Sequence, residues 1–198
     1  MEQSFGRKSI HMKVITDEKQ YTGSGAVLAL GMFDGVHLGH RALIARAQEL
    51  ARAERADAMV CTFDVHPLSV LAPEKAPAPL TDVEGRLALF RRLGVDWALV
   101  KPFTPDLARQ EPEDFLKRLT GCTHARGVVC GENYTFGRGG RGNAALLRRL
   151  GTEWGFQVEI VQSVTDAGEV VSSTLIRSLL KKGETERALR LLGRTEEG

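Results

Sequence analysis

Five short apolar runs recur along the chain, each followed by a segment whose apolar residues repeat at helical spacing. This alternation constrains the fold more than any other feature. The runs cover residues 26–30, 58–63, 96–100, 125–130 and 156–161. They are continuous rather than alternating, which is the pattern of strands buried on both faces. Between them, Leu43, Ile44, Ala47, Leu50 and Ala51 mark one helix face, and Val83, Leu87 and Phe90 mark a second. A helix is expected from about Pro112 to Leu119, and another carries Leu146, Leu147, Leu150 and Trp154. Two short helices close the chain, with Leu175, Ile176 and Leu179 on one and Ala188, Leu191 and Leu192 on the other. The pattern specifies an α/β fold with a five-stranded, mostly parallel sheet covered by helices on both faces. Ligands of such sheets bind beyond the carboxyl ends of the strands, where strand order reverses. The loops to inspect therefore follow Leu30, Phe63, Val100, Cys130 and Val161. The loop after Phe63, residues 64–80, holds four of the seven prolines (Pro67, Pro73, Pro77 and Pro79). It is too long for an ordinary connection and too proline-rich for a central strand. Thr81 and Glu84 have capping-box spacing at the helix that follows it.

Composition narrows the functional classes. With 198 residues the chain has room for one domain, or one and a small appendage. Its net charge is +2, from 27 Lys+Arg and 25 Asp+Glu, without the basic excess of a duplex nucleic-acid binder. No apolar run approaches the ~18–20 residues of a membrane span, and the first twenty residues lack a secretory core. Neither nucleic acid nor membrane is an expected partner. Cys61, Cys122 and Cys130 have neither CxxC spacing nor an even count, which argues for a reducing cytoplasm.

The loop after the first run reads Gly31-Met-Phe-Asp-Gly-Val-His-Leu-Gly-His40. His37 and His40 lie three apart at a helix start and so share a face. Gly39 carries no side chain, so a phosphate can approach the backbone, and the helix N-terminus adds free N–H groups. Two imidazoles and these donors suit charge building on a phosphorus centre. Two other readings stay open on the residues alone: metal ligation, for which HxxH lacks further ligands at recognisable spacing, and plain capping.

GMFDGVHLGH resembles the GxFDGVHxGH motif of bacterial FAD synthetases, the adenylyltransferase module of riboflavin kinase/FMN adenylyltransferases in the HxGH nucleotidyltransferase superfamily. Four further segments are similar to that family's and fall in its order. They are Thr62-Phe-Asp-Val-His-Pro67, Gly131-Glu-Asn-Tyr-Thr-Phe-Gly137, Val171-Ser-Ser-Thr-Leu-Ile-Arg177 and Leu191-Leu-Gly-Arg194. The resemblance covers residues 25–194. It leaves 1–24 as an N-terminal extension and 195–198 as a tail, and nothing resembles a riboflavin kinase domain, so no kinase activity is expected. It implies a Rossmann-like nucleotidyltransferase fold, with room for a small flavin-side subdomain, in which the FMN phosphate attacks the α-phosphorus of ATP to give FAD and pyrophosphate.

The resemblance also implies residue roles. His37 and His40 would contact the ATP phosphates, with Arg177 facing the same anion in one shared pocket. Gly31, Phe33, Asp34 and Gly39 would shape the nucleotide loop. Ser172, Ser173 and Thr174 would cap the next helix or bind phosphate. His66, Pro67, Asn133 and Phe136 would meet the flavin, with the proline loop as a flap. Mg²⁺ would be held mainly by the ATP phosphates, without a dedicated protein cage. Three positions depart from the family's pattern: Val65 replaces a proline, Leu71 stands where some relatives carry an aromatic, and Asn143 stands where Asp is common. A different HxGH enzyme, such as a cytidylyltransferase, and a non-catalytic flavin or nucleotide binder are the competing readings. Gly137–Gly142 formally satisfies GxGxxG, but it follows the fourth strand, and position 162 is Gln where an acid is required.

Overall fold

The computed structural model describes residues 11–194. Its centre is a six-stranded sheet in the order β1-β4-β3-β2-β5-β6, parallel throughout. The strands are β1 (Lys13–Ile15), β2 (Ala26–Leu30), β3 (Asp57–Phe63), β4 (Trp97–Lys101), β5 (Gly127–Gly131) and β6 (Gln157–Val161). The helices between them are α1 (Leu38–Glu54), α2 (Pro67–Leu71), α3 (Val83–Arg92), α4 (Pro105–Arg109), α5 (Pro112–Cys122) and α6 (Ala144–Trp154). A two-stranded antiparallel hairpin, β7 (Thr165–Asp166) and β8 (Glu169–Val170), precedes α7 (Ser173–Lys181) and α8 (Thr185–Leu191).

The expected count of five strands is one short. β1 lies in the segment read as an extension, and it pairs with β4 through Lys13↔Trp97 and Ile15↔Leu99. Only Ile15 of its three residues is buried, so no apolar run announces it. The capping box also moves: Asp82, not Thr81, caps α3 by accepting the Gly85 amide hydrogen at 2.8 Å. The loop after β5 closes with a single bridge, Phe136 to Gly142, and buries Phe136 in the main core rather than standing as a separate flavin-side unit.

Alternation along β2 supplies both layers. Ala26, Leu28 and Leu30 face α5 and α6, packing with Leu116, Leu119, Leu147 and Leu150. Val27 and Ala29 face α1 and α3, packing with Ile44, Ala47, Leu87 and Phe90. A third cluster joins Val171, Ile176 and Leu179 to Ala188, Leu191 and Leu192, with Leu38 and Leu80 against it. From β2 the chain steps to β3 and β4 on one side, then returns to place β5 and β6 on the other. Strand order therefore reverses between β2 and β5, and a crevice is expected at their carboxyl ends.

Candidate active site

The turn from β2 to α1 crosses that crevice. Phe33, Gly35 and Val36 all have positive φ (54°, 79° and 45°). For a β-branched residue such as Val36 this conformation costs on the order of 1–3 kcal/mol and persists only where its surroundings impose it. Here they do. Phe33 is wholly buried, with its ring 5.6 Å from that of Phe90. Arg41 donates to the Val36 carbonyl (3.3 Å) and the Leu192 carbonyl (3.2 Å), tying the turn to the C-terminal helices. Phe33 thus shapes the loop from beneath and offers no surface to a ligand. Gly31 leaves room for it, since a Cβ there would lie 3.1 Å from the Phe33 ring.

His37 is the N-cap of α1, and its Nδ1 accepts the His40 amide hydrogen (3.4 Å). Capping thus occupies Nδ1, and the ring's remaining proton sits on Nε2. The two imidazoles stack with centroids 3.7 Å apart and planes 20° from parallel. A Cβ on Gly39 would come within 3.2 Å of the His37 ring and press on it by a few tenths of an ångström. Burial lowers the His37 pKa to about 4. Burial, then His37, then Arg86 push that of His40 well below the ordinary value. Both rings are neutral at pH 7. His40 Nδ1 is buried without a hydrogen-bond partner.

Three hollows of about 220–240 Å³ lie at this end of the sheet, two of them lined by the turn itself. His37, Gly39 and His40 line the first together with Gly31, Met32 and Asn133. The second is lined by Asp34, His66, Arg86 and Arg177, and again by Met32. The third is aromatic: Phe63, Phe103, Phe115, Tyr134 and Phe136, with Pro67 and Leu71. A more open basin beside the second carries Lys75, Thr174, Arg177, Ser178 and Lys181.

The sequence-derived site is thus brought to one end of the sheet but not into one pocket. Arg177 does not share the hollow of the imidazoles; the two hollows adjoin at Met32. Arg177 pairs with Asp34, and its Nε donates to the Ala78 carbonyl at 2.7 Å. Asp34 also accepts the Leu80 and Thr81 amide hydrogens (2.9 and 3.1 Å), fastening the proline loop to the turn. Ser172 caps α7 through the Leu175 amide (3.2 Å). The Ser173 hydroxyl donates to the Asp34 carbonyl (2.9 Å). Of the three hydroxyl residues, Thr174 is the exposed one. The flavin set divides as well. Pro67 and Phe136 line the aromatic hollow, Asn133 lies with the imidazoles, and His66 caps α2 by accepting the Leu68 amide hydrogen (3.1 Å). Burial and the nearby Arg177 lower the His66 pKa.

Three residues escaped sequence reasoning. Met32 links the first and second hollows, Tyr134 lines both the first and the third, and Arg86 is buried beneath the turn. No spacing rule marks an arginine on a helix face as buried, and an apolar Met inside a motif carries no chemistry to flag it. Among the described residues no group of three or more His, Cys, Asp or Glu side chains is placed to hold a metal ion, and no helix is long and apolar enough to cross a membrane.

The model of the FAD synthetase family matches residues 19–175. A bifunctional riboflavin kinase/FMN adenylyltransferase from Listeria monocytogenes is 37% identical over 185 residues, which are 93% of this chain and 58% of that one. The enzyme of the same name from Escherichia coli K12 is 36% identical over 171 residues, 85% of this chain and 54% of that one. The chain thus spans little more than half the length of these relatives. A chain from Geobacillus thermodenitrificans, provisionally described as the same bifunctional enzyme, is 37% identical and covered over 97% of its length. A crystal structure titled as a macrolide-efflux protein from Streptococcus pneumoniae superposes with a TM-score of 0.81 at 28% identity, over 94% of this chain and 62% of that one.

Proposed function

The chain belongs to the FAD synthetase family, and from that premise we propose that it transfers the adenylyl group of ATP to FMN, giving FAD and pyrophosphate. The observation that carries the reading is the stacked His37–His40 pair at the start of α1, set at the reversal of strand order. An FMN phosphate oxygen forms the new bond to the α-phosphorus as the bond to the pyrophosphate breaks. The nucleophile is already an anion, so the protein's work is positioning and charge stabilisation. His37, proton on Nε2, donates to a phosphate oxygen, with His40 stacked beside it. Arg177 keeps free N–H groups while paired to Asp34, because a guanidinium has five, and these reach the β- and γ-phosphates in the basin with Thr174, Lys75 and Lys181. Mg²⁺ enters with ATP as part of the substrate, held by phosphates and water.

Each hollow is smaller than the ~300–1,000 Å³ usual for a ligand pocket, so the substrates span them. The triphosphate crosses Met32, and the flavin ring lies in the aromatic hollow and reaches the imidazoles past Tyr134. That hollow favours a flavin acceptor over the small alcohol phosphate of a cytidylyltransferase. ATP and FMN are the partners on this reading, with no nucleic acid or membrane involved. A cytoplasmic location suits the free thiols of Cys61, Cys122 and Cys130.

The test is incubation with ATP, Mg²⁺ and FMN, followed by chromatography for FAD, with CTP and riboflavin in parallel tubes. FAD is expected from ATP and FMN alone, and kcat is expected to fall roughly 10²–10³-fold in a folded His40→Ala variant. No FAD, or an unchanged kcat, overturns the proposal.

A further inference from the structure

Arg86 lies on the first turn of α3, directly after the proline loop, and is only 4% exposed. Its Nη1 donates to the Met32 carbonyl (2.9 Å) and to Thr62 Oγ1 (2.8 Å). Its Nη2 donates to the carbonyls of Phe63 (2.9 Å) and Asp64 (3.1 Å). The Thr62 hydroxyl itself donates to the Met32 carbonyl at 2.8 Å, closing the arrangement. These acceptors stand where the sheet runs out: Met32 has left β2, and Phe63 and Asp64 end β3 and begin the flap. Phe63 is the last residue of β3 in register with β4, Met32 lies beyond the β2 ladder, and directly after Met32 the backbone turns left-handed at Phe33.

All four acceptors are neutral oxygens. Among the described residues no carboxylate forms a salt bridge with Arg86, and its Nε is buried without a partner. Burial disfavours its charge, and Asp34, Asp64 and Asp82 offset this only through space; a buried cation with no carboxylate in contact is costly, and an alkyl residue would fill the space. What the guanidinium adds is a planar fork that reaches two strand ends at once. Met32, the residue it grips, is the one shared by the imidazole hollow, the Arg177 hollow and the basic basin.

We propose that Arg86 is a positioning residue for adenylyl transfer, clamping the Met32 peptide to the end of β3 so that the His37–His40 pair and the flap stay in register. The kinetic part of this inference rests on the adenylyl-transfer reading. A second consequence does not. Besides burial, the groups acting on the His40 ring are His37 from its own turn and Arg86 from α3, so removing the Arg86 charge shifts the His40 titration upward.

The experiment compares Arg86→Met, Arg86→Lys and Thr62→Val with the parent protein in two readouts. In steady-state FAD formation, Arg86→Met is expected to lower kcat roughly 100-fold while both KM values move less than about threefold, as for a misplaced reacting group. Arg86→Lys keeps the charge and recovers about tenfold of that loss, and Thr62→Val, which keeps the cation and the volume, lowers kcat by less than Arg86→Met. In NMR titration of the His40 ring protons, Arg86→Met moves the midpoint towards that of an ordinary histidine, whereas Arg86→Lys and Thr62→Val do not. An unchanged kcat in folded Arg86→Met or Thr62→Val, or a His40 midpoint unmoved by loss of the charge, overturns the proposal. Should Arg86→Met fail to fold, Arg86→Lys and Thr62→Val decide by kcat. A parent protein that makes no FAD would instead sink the reading of the reaction and with it the kinetic part of this inference, and the titration would then decide only the link between Arg86 and the His40 ring.

Discussion

The Nδ1 of His37 holds the first turn of α1 while the ring lines the imidazole hollow, so one imidazole both caps a helix and faces a cavity. Its burial gives a pH signature with a definite sign. The unfolded chain takes up a proton near pH 6.5, but the folded His37 does so only near pH 4. The contribution to stability is therefore complete above pH 6.5 and is lost as pH falls from there towards 4, by about 3 kcal/mol across the window. Replacing His37 with Asn, which keeps a capping side chain, is expected to flatten the loss of stability between pH 7 and 4.5 relative to the parent. Denaturant titrations at several pH values measure this, and parallel slopes for the two proteins would show that His37 does not titrate as argued. The motif made His37 and His40 legible as a pair. It could not show that Phe33 points into the core, nor that Asp34 spends its carboxylate on Arg177 and two flap amides. Those roles depend on residues 46 and 143 positions away, beyond the reach of any local pattern.

Among the elements, the flap is built from short pieces held at their ends. His66 caps α2, Pro67 begins it, and Asp34 receives the amides where the loop rejoins α3. Leu71 ends α2 at the rim of the aromatic hollow and is 58% exposed. Phe63 and Phe103 already meet edge to face in that hollow with centroids 5.0 Å apart. An added ring facing a flavin contributes ~0.5–1.5 kcal/mol. Leu71→Phe is therefore expected to tighten FMN binding about 2–10-fold and leave the KM for ATP unchanged. Fluorescence titration with FMN checks this, and an unaltered affinity would mean that the flavin lies elsewhere. At this scale the sequence was most readable. β2 and α6 follow directly from their apolar periodicity, and Asn143 caps α6 through the Leu146 amide (3.0 Å), a task an Asp performs equally well. The flap resisted reading because prolines announce a loop without saying what it covers.

Across the whole molecule, the sheet ends at one edge in β1, which pairs with β4 and is followed by a short segment that anchors it. Glu18 is 1% exposed and forms ion pairs with Lys101 at the end of β4 (2.5 Å) and with Arg118 on α5. One carboxylate thus fastens the segment after β1 to the sheet and to a covering helix. Glu18→Gln is expected to lower stability by about 2–3 kcal/mol, less than a fully buried pair because Arg118 reaches solvent. In a domain of this size that corresponds to a fall in Tm of about 5–10 °C. The KM values for ATP and FMN are expected to stay unchanged, since none of the three residues lines the imidazole or aromatic hollows. Calorimetry and kinetics test both halves, and an unaltered Tm would remove Glu18 from the account of the edge.

By itself the sequence determined the α/β class, five of the six strands, the turn that bears the imidazoles and the family, because each of these is encoded by local periodicity or by contiguous motifs. Only the tertiary structure decided the sixth strand, the division of the expected single pocket into hollows joined at Met32, the pairing of Arg177 with Asp34 and the burial of Arg86. These depend on contacts between residues far apart in the chain, where packing and desolvation rather than spacing set the outcome.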